Sequence, residues 1–179
     1  VSRIDLFVDF QSSVDMESWD RNAWVTRASS INAYAVSGQF SGWSVGLGGI
    51  ISARLYNKLL EIVVSGKDWI LPLWQKAGWQ ASNMVWRLEF ELKREVLTQK
   101  GISKLHQVLG NLNGLWSYAT TEWLRLTLPS EDDKTRSRWP IHPLWGFLSA
   151  VDWEGKGGPL AKRFSPSRSP NDDKLFQIA

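Results

Sequence analysis

Cysteine is absent from the sequence, and histidine is rare. The lack of cysteine excludes disulfide bonds, thiolate zinc sites and a cysteine nucleophile, and it is compatible with a reducing cytoplasm. The two histidines, His106 and His142, are far apart and do not form a ligand-spaced pair. A zinc or copper centre built on imidazole is therefore disfavoured.

Long apolar runs and a signal peptide are also lacking, which predicts a soluble protein without a membrane partner. The chain has 179 residues, 43% of them hydrophobic, which suits one globular domain with a sizeable core. We expect this domain to span residues 1–153. Gly, Pro, Ser, Lys and Arg dominate residues 154–179, which predicts a flexible basic tail. The sequence opens at Val1 inside a strand-like run, so we interpret it as a fragment of a longer protein.

A mild basic excess and many tryptophans are the main features of the composition. The net charge is +3, which is compatible with a phosphate-rich partner but is weak support alone. The sequence contains 12 tryptophans. Most of them are expected to pack in the core, while one or two exposed rings could stack on unpaired bases.

The hydrophobic pattern predicts an α+β fold with an antiparallel sheet and helices packed on one of its faces. Residues 3–10 and 84–94 alternate as strands with one apolar face, and residues 52–64 begin as a strand. Residues 24–36 are expected to hold a second strand, and residues 37–50 a turn, a strand and a turn. Helices are expected over 68–77, 105–116, 117–126 and from Pro143 to Ala150, with Gly110 and Gly114 bending or splitting the second of these.

Three of the predicted strands place ionisable groups on one face. Strand alternation assigns to it Asp5 and Asp9, then Arg54, Tyr56 and Lys58, then Glu89 and Glu91 flanked by Arg87 and Lys93. If the strands are neighbours, carboxylates, a phenol and cations meet on one open surface. Such a set suits phosphodiester transfer, in which carboxylates hold Mg²⁺ or Mn²⁺ and cations neutralise the phosphate. Spacing alone, however, favours a solvated sheet face with cross-strand ion pairs.

An ordered set of motifs changes that balance. The set comprises Arg3-Ile-Asp-Leu-Phe-Val-Asp9, then Gly46-Leu-Gly-Gly49, then Arg54-Leu-Tyr-Asn-Lys-Leu-Leu-Glu61, then Arg87-Leu-Glu-Phe-Glu91. In order and spacing over roughly the first two-thirds of the chain, it resembles the replication initiation factor family. That family includes rolling-circle replication initiators of plasmids and filamentous phages, and related conjugative relaxases. The Arg-x-Tyr-Asn-Lys segment followed by Arg-x-Glu is the most specific part of the match.

The resemblance implies a fold related to the rolling-circle nicking endonucleases and a metal-dependent nickase that forms a 5′-phosphotyrosine. It implies Tyr56 as the nucleophile, with Arg54 and Lys58 holding the phosphate. Asp5 and Glu89 are implied as ligands of Mg²⁺ or Mn²⁺, with Asp9 or Glu91 as a possible third. The paired-histidine metal motif of the wider nicking superfamily is missing, so the family is similar to a carboxylate variant of it.

The resemblance also implies partners and a location, and it leaves alternatives open. The expected partner is single-stranded or origin DNA, together with a host helicase or a second copy of the chain, in the cytoplasm of a bacterial host. The sequence does not separate a replication initiator from a conjugative relaxase. A DNA-binding module without chemistry, a structural domain with an apolar tryptophan interface, and a metal nuclease without a covalent intermediate also stay open.

Overall fold

A five-stranded antiparallel sheet is the centre of the structure. The computed structural model describes residues 1–153; the predicted tail over 154–179 lies outside the described residues. The strands are β1 (Arg3–Gln11), β2 (Trp24–Thr26), β3 (Ile31–Val36), β4 (Gln39–Val45), β5 (Ile51–Asn57), β6 (Val85–Lys93) and β7 (Leu124–Leu126). The main sheet has the spatial order β1-β6-β5-β4-β3, while β2 and β7 pair separately.

Short helices complete the fold. They are α1 (Lys58–Ser65), α2 (Leu71–Lys76), α3 (Arg94–Gln99), α4 (Leu105–Leu109), α5 (Leu112–Ser117) and α6 (Pro143–Ser149), with a π-helical segment at Tyr118–Trp123. Helices α3 to α6 follow the sheet strands in the chain and supply the layer that covers one sheet face. The predicted α+β class with an antiparallel sheet is therefore confirmed.

Alternation along β6 decides which sheet face is buried. Trp86, Leu88, Phe90 and Leu92 point into the main core, where they are almost fully inaccessible to solvent. Each large apolar side chain removed from water in this way contributes about 2 kcal/mol to folding. The intervening residues of β6 are ionic and lie on the opposite face, as the alternation predicts.

The tryptophans serve mainly as core residues. Trp24, Trp116 and Trp145 are fully buried. The indole nitrogens of Trp116 and Trp145 donate to the carbonyl oxygens of Leu148 and Thr120, at 2.9 and 2.8 Å, which satisfies their buried N–H groups. Trp69 differs, because 65% of its surface is exposed.

Two of the expected elements are different in the structure. The strand expected over 24–36 is divided, because β2 leaves the main sheet and pairs with β7. The helix expected over 117–126 becomes a π-helical segment that ends in β7. The hydroxyls of Thr120 and Thr121 donate to carbonyl oxygens four residues earlier, at 2.9 and 2.7 Å, and so compete with the regular helical pattern.

A second, smaller apolar cluster covers one end of the ionic face. Ile62 of α1 and Trp74 of α2 pack there against Val85, the first residue of β6. In the part of the chain that the structure describes, no other buried apolar cluster covers this face. Among residues 1–153, the structure contains no helix with the length and apolarity needed to cross a bilayer.

Strands β4 and β5 approach each other closely at Gly42. This residue of β4 is opposite Tyr56 of β5 and has a φ of 152°, which L side chains rarely adopt. A Cβ atom at this position would meet the carbonyl oxygen of Leu55 and lie 2.7 Å from the Cα atom of Tyr56. Any residue larger than glycine at position 42 would therefore push the backbone of Tyr56 away from its present place.

We expect Gly42→Ala to lower the free energy of unfolding by about 2 kcal/mol, because the added methyl group overpacks two strands. Gly146→Ala is the matched control, since a Cβ atom at that helical position meets nothing within 4 Å. Urea denaturation of both variants tests the expectation. Equal unfolding midpoints for the two variants would show that β4 relaxes around the methyl group, contrary to the prediction.

Candidate active site

The face of the sheet opposite the main core is organised in cross-strand rows. The Tyr56 row consists of Asp9, Arg87, Tyr56, Gly42 and Tyr34. The Glu89 row consists of Phe7, Glu89, Arg54, Ser44 and Asn32. The Glu91 row consists of Asp5, Glu91 and Ser52. Strands β1, β6 and β5 are thus neighbours, and they place the predicted acids, Arg54 and Tyr56 on one surface.

Tyr56 lies at the middle of this surface. Its hydroxyl donates a long hydrogen bond of 3.5 Å to Oε2 of Glu89. Burial raises the pKa of the Tyr56 phenol to about 12, and the negative charge of Glu89 adds to this, while Arg87 acts in the opposite direction. The phenol therefore holds its proton near neutral pH, and it requires additional positive charge to become a nucleophile.

Arg54 and Lys58 flank Tyr56 in different ways. Arg54 is about half exposed, and its Nη2 is 3.9 Å from Oε1 of Glu89. The prediction that Lys58 shares the strand face is wrong, because Lys58 is the first residue of α1. The side chain of Asn57 caps this helix by accepting from the amides of residues 59 and 60, which ends β5 one residue earlier.

Lys58 nevertheless stays beside the tyrosine. Its ammonium group lies 5.7 Å from the centroid of the Tyr56 ring and pairs with the carboxylate of Glu61. Burial alone would raise the pKa of Glu61, but the hydrogen bonds from Lys58 and Ser65 outweigh it and hold that pKa below its usual value. Lys58 is thus a buried cation two residues after Tyr56, and among the described residues its salt-bridge partner is one carboxylate, which it can exchange for a phosphate.

Asp9 is engaged in a buried ion pair. Its carboxylate accepts from Nε and Nη2 of Arg87 at 2.6 and 2.8 Å, and from Nε1 of Trp74 at 3.0 Å. The guanidinium of Arg87 also lies 3.8 Å from the ring centroid of Phe7. Burial lowers the pKa of Arg87, but its hydrogen bonds to Asp9 outweigh burial and raise the pKa overall. Three donors leave Asp9 little capacity for a further ligand.

Asp5 and Glu91 share a different cation. Arg3 donates to both oxygens of Asp5, at 2.8 and 2.6 Å, and its Nη1 lies 3.1 Å from Oε2 of Glu91. The hydrogen bonds to Asp5 raise the pKa of Arg3, with Glu91 and Glu89 adding to the effect. Nζ of Lys93 lies 3.8 Å from Glu91. Arg3 and Lys93 therefore offset the negative charge of Asp5 and Glu91, which form the acidic edge of this face.

The donor set of this edge fits a hard divalent cation. Across residues 1–153, no three acidic or histidine side chains converge into a ready-made metal cluster. Mg²⁺ does not need one, because it is usually held by one or two carboxylates with water and substrate phosphate oxygens. Asp5, Glu89 and Glu91 provide such carboxylates on adjacent rows. Asp9 fits less well, because its oxygens are already engaged.

Several residues of the site were given no role in it from the sequence. Arg3 stands two residues before Asp5 in the same alternating strand, so the alternation itself could have placed it on this face. Trp74 reaches Asp9 from a separate helix, and no local pattern signals that contact. Gly42 and Ser44 belong to the site through strand pairing, which the sequence of β4 alone does not specify.

Comparison with known proteins supports the fold. No family model and no curated protein sequence matches the chain. Among solved structures, the chain is similar to a rolling-circle replication initiator protein from Geobacillus stearothermophilus, with a TM-score of 0.55 and 16% sequence identity. The match covers 82% of this chain and 54% of that chain, so this chain spans about half the length of the solved protein. At this identity the likeness shows a shared α+β fold.

The Asp9 pair and the Asp5 pair should differ in their effect on stability. We expect Asp9→Asn to lower the free energy of unfolding by about 3 kcal/mol, because Arg87 would keep a buried charge without its counterion. Asp5→Asn should leave the unfolding midpoint nearly unchanged, because its pair with Arg3 is exposed to solvent. Guanidinium denaturation measures both variants. Similar midpoints for the two would mean that Asp9 is not a structural anchor.

The phenol of Tyr56 should titrate late. The phenolate absorbance of the wild type and of Tyr56→Phe is measured as pH is raised, and the difference between the two curves belongs to Tyr56. We expect the midpoint of this difference curve at about pH 12. Glu89→Gln should move this midpoint towards the reference value of about 10 without reaching it, because burial remains. The raised pKa stabilises the fold fully below about pH 10, and this contribution is lost as pH rises through about 12. A midpoint near 10 in the wild type would contradict the assignment.

Proposed function

We propose that this chain is the nicking domain of a rolling-circle DNA replication initiator, which cleaves single-stranded origin DNA and stays bonded to the 5′ phosphate. One observation carries the proposal: Tyr56 lies on an open sheet face between an acid, Glu89, and two cations, Arg54 and Lys58. The similarity in fold to a rolling-circle replication initiator supports the same conclusion. A conjugative relaxase would use the same chemistry and is the alternative within this class.

The proposed step is an in-line transfer of a phosphoryl group to tyrosine. The phenol oxygen of Tyr56 attacks the phosphorus, a Tyr–O–P bond forms and the bond from phosphorus to the 3′ oxygen breaks. The phenol proton passes to solvent, and the departing oxygen takes up a proton to become a 3′ hydroxyl. Attack by a 3′ hydroxyl on the phosphotyrosine reverses the step and rejoins the strand, because the phosphodiester bond energy is conserved.

Arg54 and Lys58 would bind the phosphate oxygens during this transfer. Arg54 is free to turn towards a ligand, because its contact with Glu89 is long and its side chain is half exposed. Lys58 is preorganised by its position at the start of α1. Positive charge held at this point favours the phenolate and stabilises the negative charge that develops on the phosphate.

Mg²⁺ or Mn²⁺ is the proposed cofactor, and Asp5, Glu89 and Glu91 would hold it in place of Arg3. When bound, such a cation would polarise the scissile phosphate and neutralise Glu89, the acid that raises the pKa of Tyr56. Single-stranded or origin DNA is the proposed partner. A host helicase, a second copy of the chain and a bacterial cytoplasmic location belong to the same proposal.

A DNA-binding module without chemistry is the second candidate. Its support is that Asp5, Asp9 and Glu91 are each paired with an arginine, as on a structural sheet face. The raised pKa of Tyr56 points the same way. Formation of a covalent adduct separates the two candidates.

Denaturing electrophoresis with labelled single-stranded origin oligonucleotides and Mn²⁺ tests the proposal. The wild type should give a protein-linked DNA band, and Tyr56→Phe or a chelator should reduce it by at least about a thousandfold, because the first removes the proposed attacking oxygen and the second the proposed metal. Tyr118→Phe is the control, since Tyr118 is buried among the core residues and should retain the band. An adduct that persists in Tyr56→Phe would assign the nucleophile elsewhere.

A further inference from the structure

A groove of about 390 Å³ lies next to Tyr56, on the half of the face formed by β3, β4 and β5. Its walls include Tyr34, Val36 and Leu47, which are all exposed although they are apolar or aromatic. The ionic half of the face, on β1 and β6, lies on the other side of Tyr56. Tyr56 thus stands between a charged surface and an apolar groove.

The Tyr56 row explains the shape of this groove. Gly42 pairs with Tyr34 on one side and with Tyr56 on the other, so the two tyrosines are separated by a residue without a side chain. Two strand spacings place their Cα atoms about 10 Å apart. The absence of a side chain at Gly42 leaves a slot between the two tyrosines on this face.

Polar groups occur at defined places in the groove. The hydroxyl oxygen of Ser44 is buried and has no hydrogen-bond partner within residues 1–153. Ser44 lines the groove one row away from Tyr56 and pairs with Arg54 across the strands. Arg54 supplies a half-exposed cation at the same place. The groove therefore combines aromatic walls, an unsatisfied hydroxyl and an adjacent positive charge.

We infer that the groove between Tyr34 and Tyr56 binds one unpaired nucleobase of the DNA strand, next to the phosphate that Tyr56 attacks. A base has the planar, uncharged faces that stack on aromatic rings and the polar edge that a hydroxyl recognises. Its own backbone phosphate would lie towards Arg54. The inference rests on the proposed function, because it takes single-stranded DNA as the ligand of this face.

Fluorescence anisotropy with labelled dodecamers tests the base slot. Every protein is made in the Tyr56→Phe background, which keeps the ring and removes the proposed chemistry. Tyr34→Ala should weaken binding to oligothymidylate by about five- to 150-fold, the range expected for the loss of one stacked base. Tyr34→Phe should bind like the parent, because the ring is retained. Phe147→Ala removes an exposed aromatic ring from α6, away from the groove, and should also have no effect.

A dodecamer of abasic sugar phosphates separates stacking from phosphate binding. Tyr34→Ala and its parent should bind this strand equally weakly. In the parent protein, the affinities for oligomers of thymidylate, adenylate and cytidylate should differ from one another, and Ser44→Ala should make these differences smaller. If the differences are the same in Ser44→Ala and its parent, Ser44 does not contact the base. Unchanged binding of oligothymidylate by Tyr34→Ala would overturn the base slot.

The adduct assay is scored independently of these binding measurements. A covalent adduct together with binding that does not depend on Tyr34 overturns the base slot and leaves the proposed nicking function intact. Base-dependent binding through Tyr34 without any adduct supports the slot and rejects the nicking chemistry, in favour of a module that only binds DNA.

Discussion

The register of β6 between β1 and β5 is the constraint on which the rest of the site depends. Along β6, Leu88 and Phe90 point into the core while Arg87 and Glu89 point to the open face. A slip of one residue would exchange these faces and bury several unpaired charges, each at a cost of several kcal/mol. The hydrogen-bonded pair of Arg87 with Asp9 fixes the same register from the polar side. Tyr56 is opposite Arg87 in this register, so the core determines which groups the phenol faces.

The carboxylates of the open face are not equally well paired, and the one with the weakest partners lies beside Tyr56. Asp9 is satisfied by Arg87 and Trp74, and Asp5 by Arg3, through contacts of 2.6 to 3.0 Å. Glu89 differs, because its contacts to Tyr56 and Arg54 are 3.5 and 3.9 Å long. The acid nearest the phenol is thus the one with the loosest partners. A carboxylate with such loose partners can take up the proposed cation without first breaking a strong ion pair.

Alternation predicted the strands that carry the site, because residues with a period of two and one apolar face specify a half-buried strand from local sequence alone. It predicted the ionic faces of β1 and β6 and placed Arg54 and Tyr56 together on β5. It could not show that β6 lies between β1 and β5, because strand pairing is non-local. Lys58 was misplaced since alternation continues past Asn57, and only the capping side chain of Asn57 ends the strand. The contact of Trp74 with Asp9 and the narrow approach at Gly42 depend on tertiary structure, which no local pattern encodes.

The position of Tyr56 at a boundary links the fold to the chemistry. At 16% identity, a shared fold does not specify a reaction, so the reaction must be argued from what surrounds the phenol. On one side are carboxylates and cations, which the proposed metal and scissile phosphate would contact; on the other is a groove with an aromatic wall and the Ser44 hydroxyl, which has no hydrogen-bond partner among the described residues. A nucleotide in a single strand has the same two parts, a charged phosphate and an uncharged planar base. Both surfaces together suit the proposed attack on a phosphodiester whose neighbouring base is unpaired.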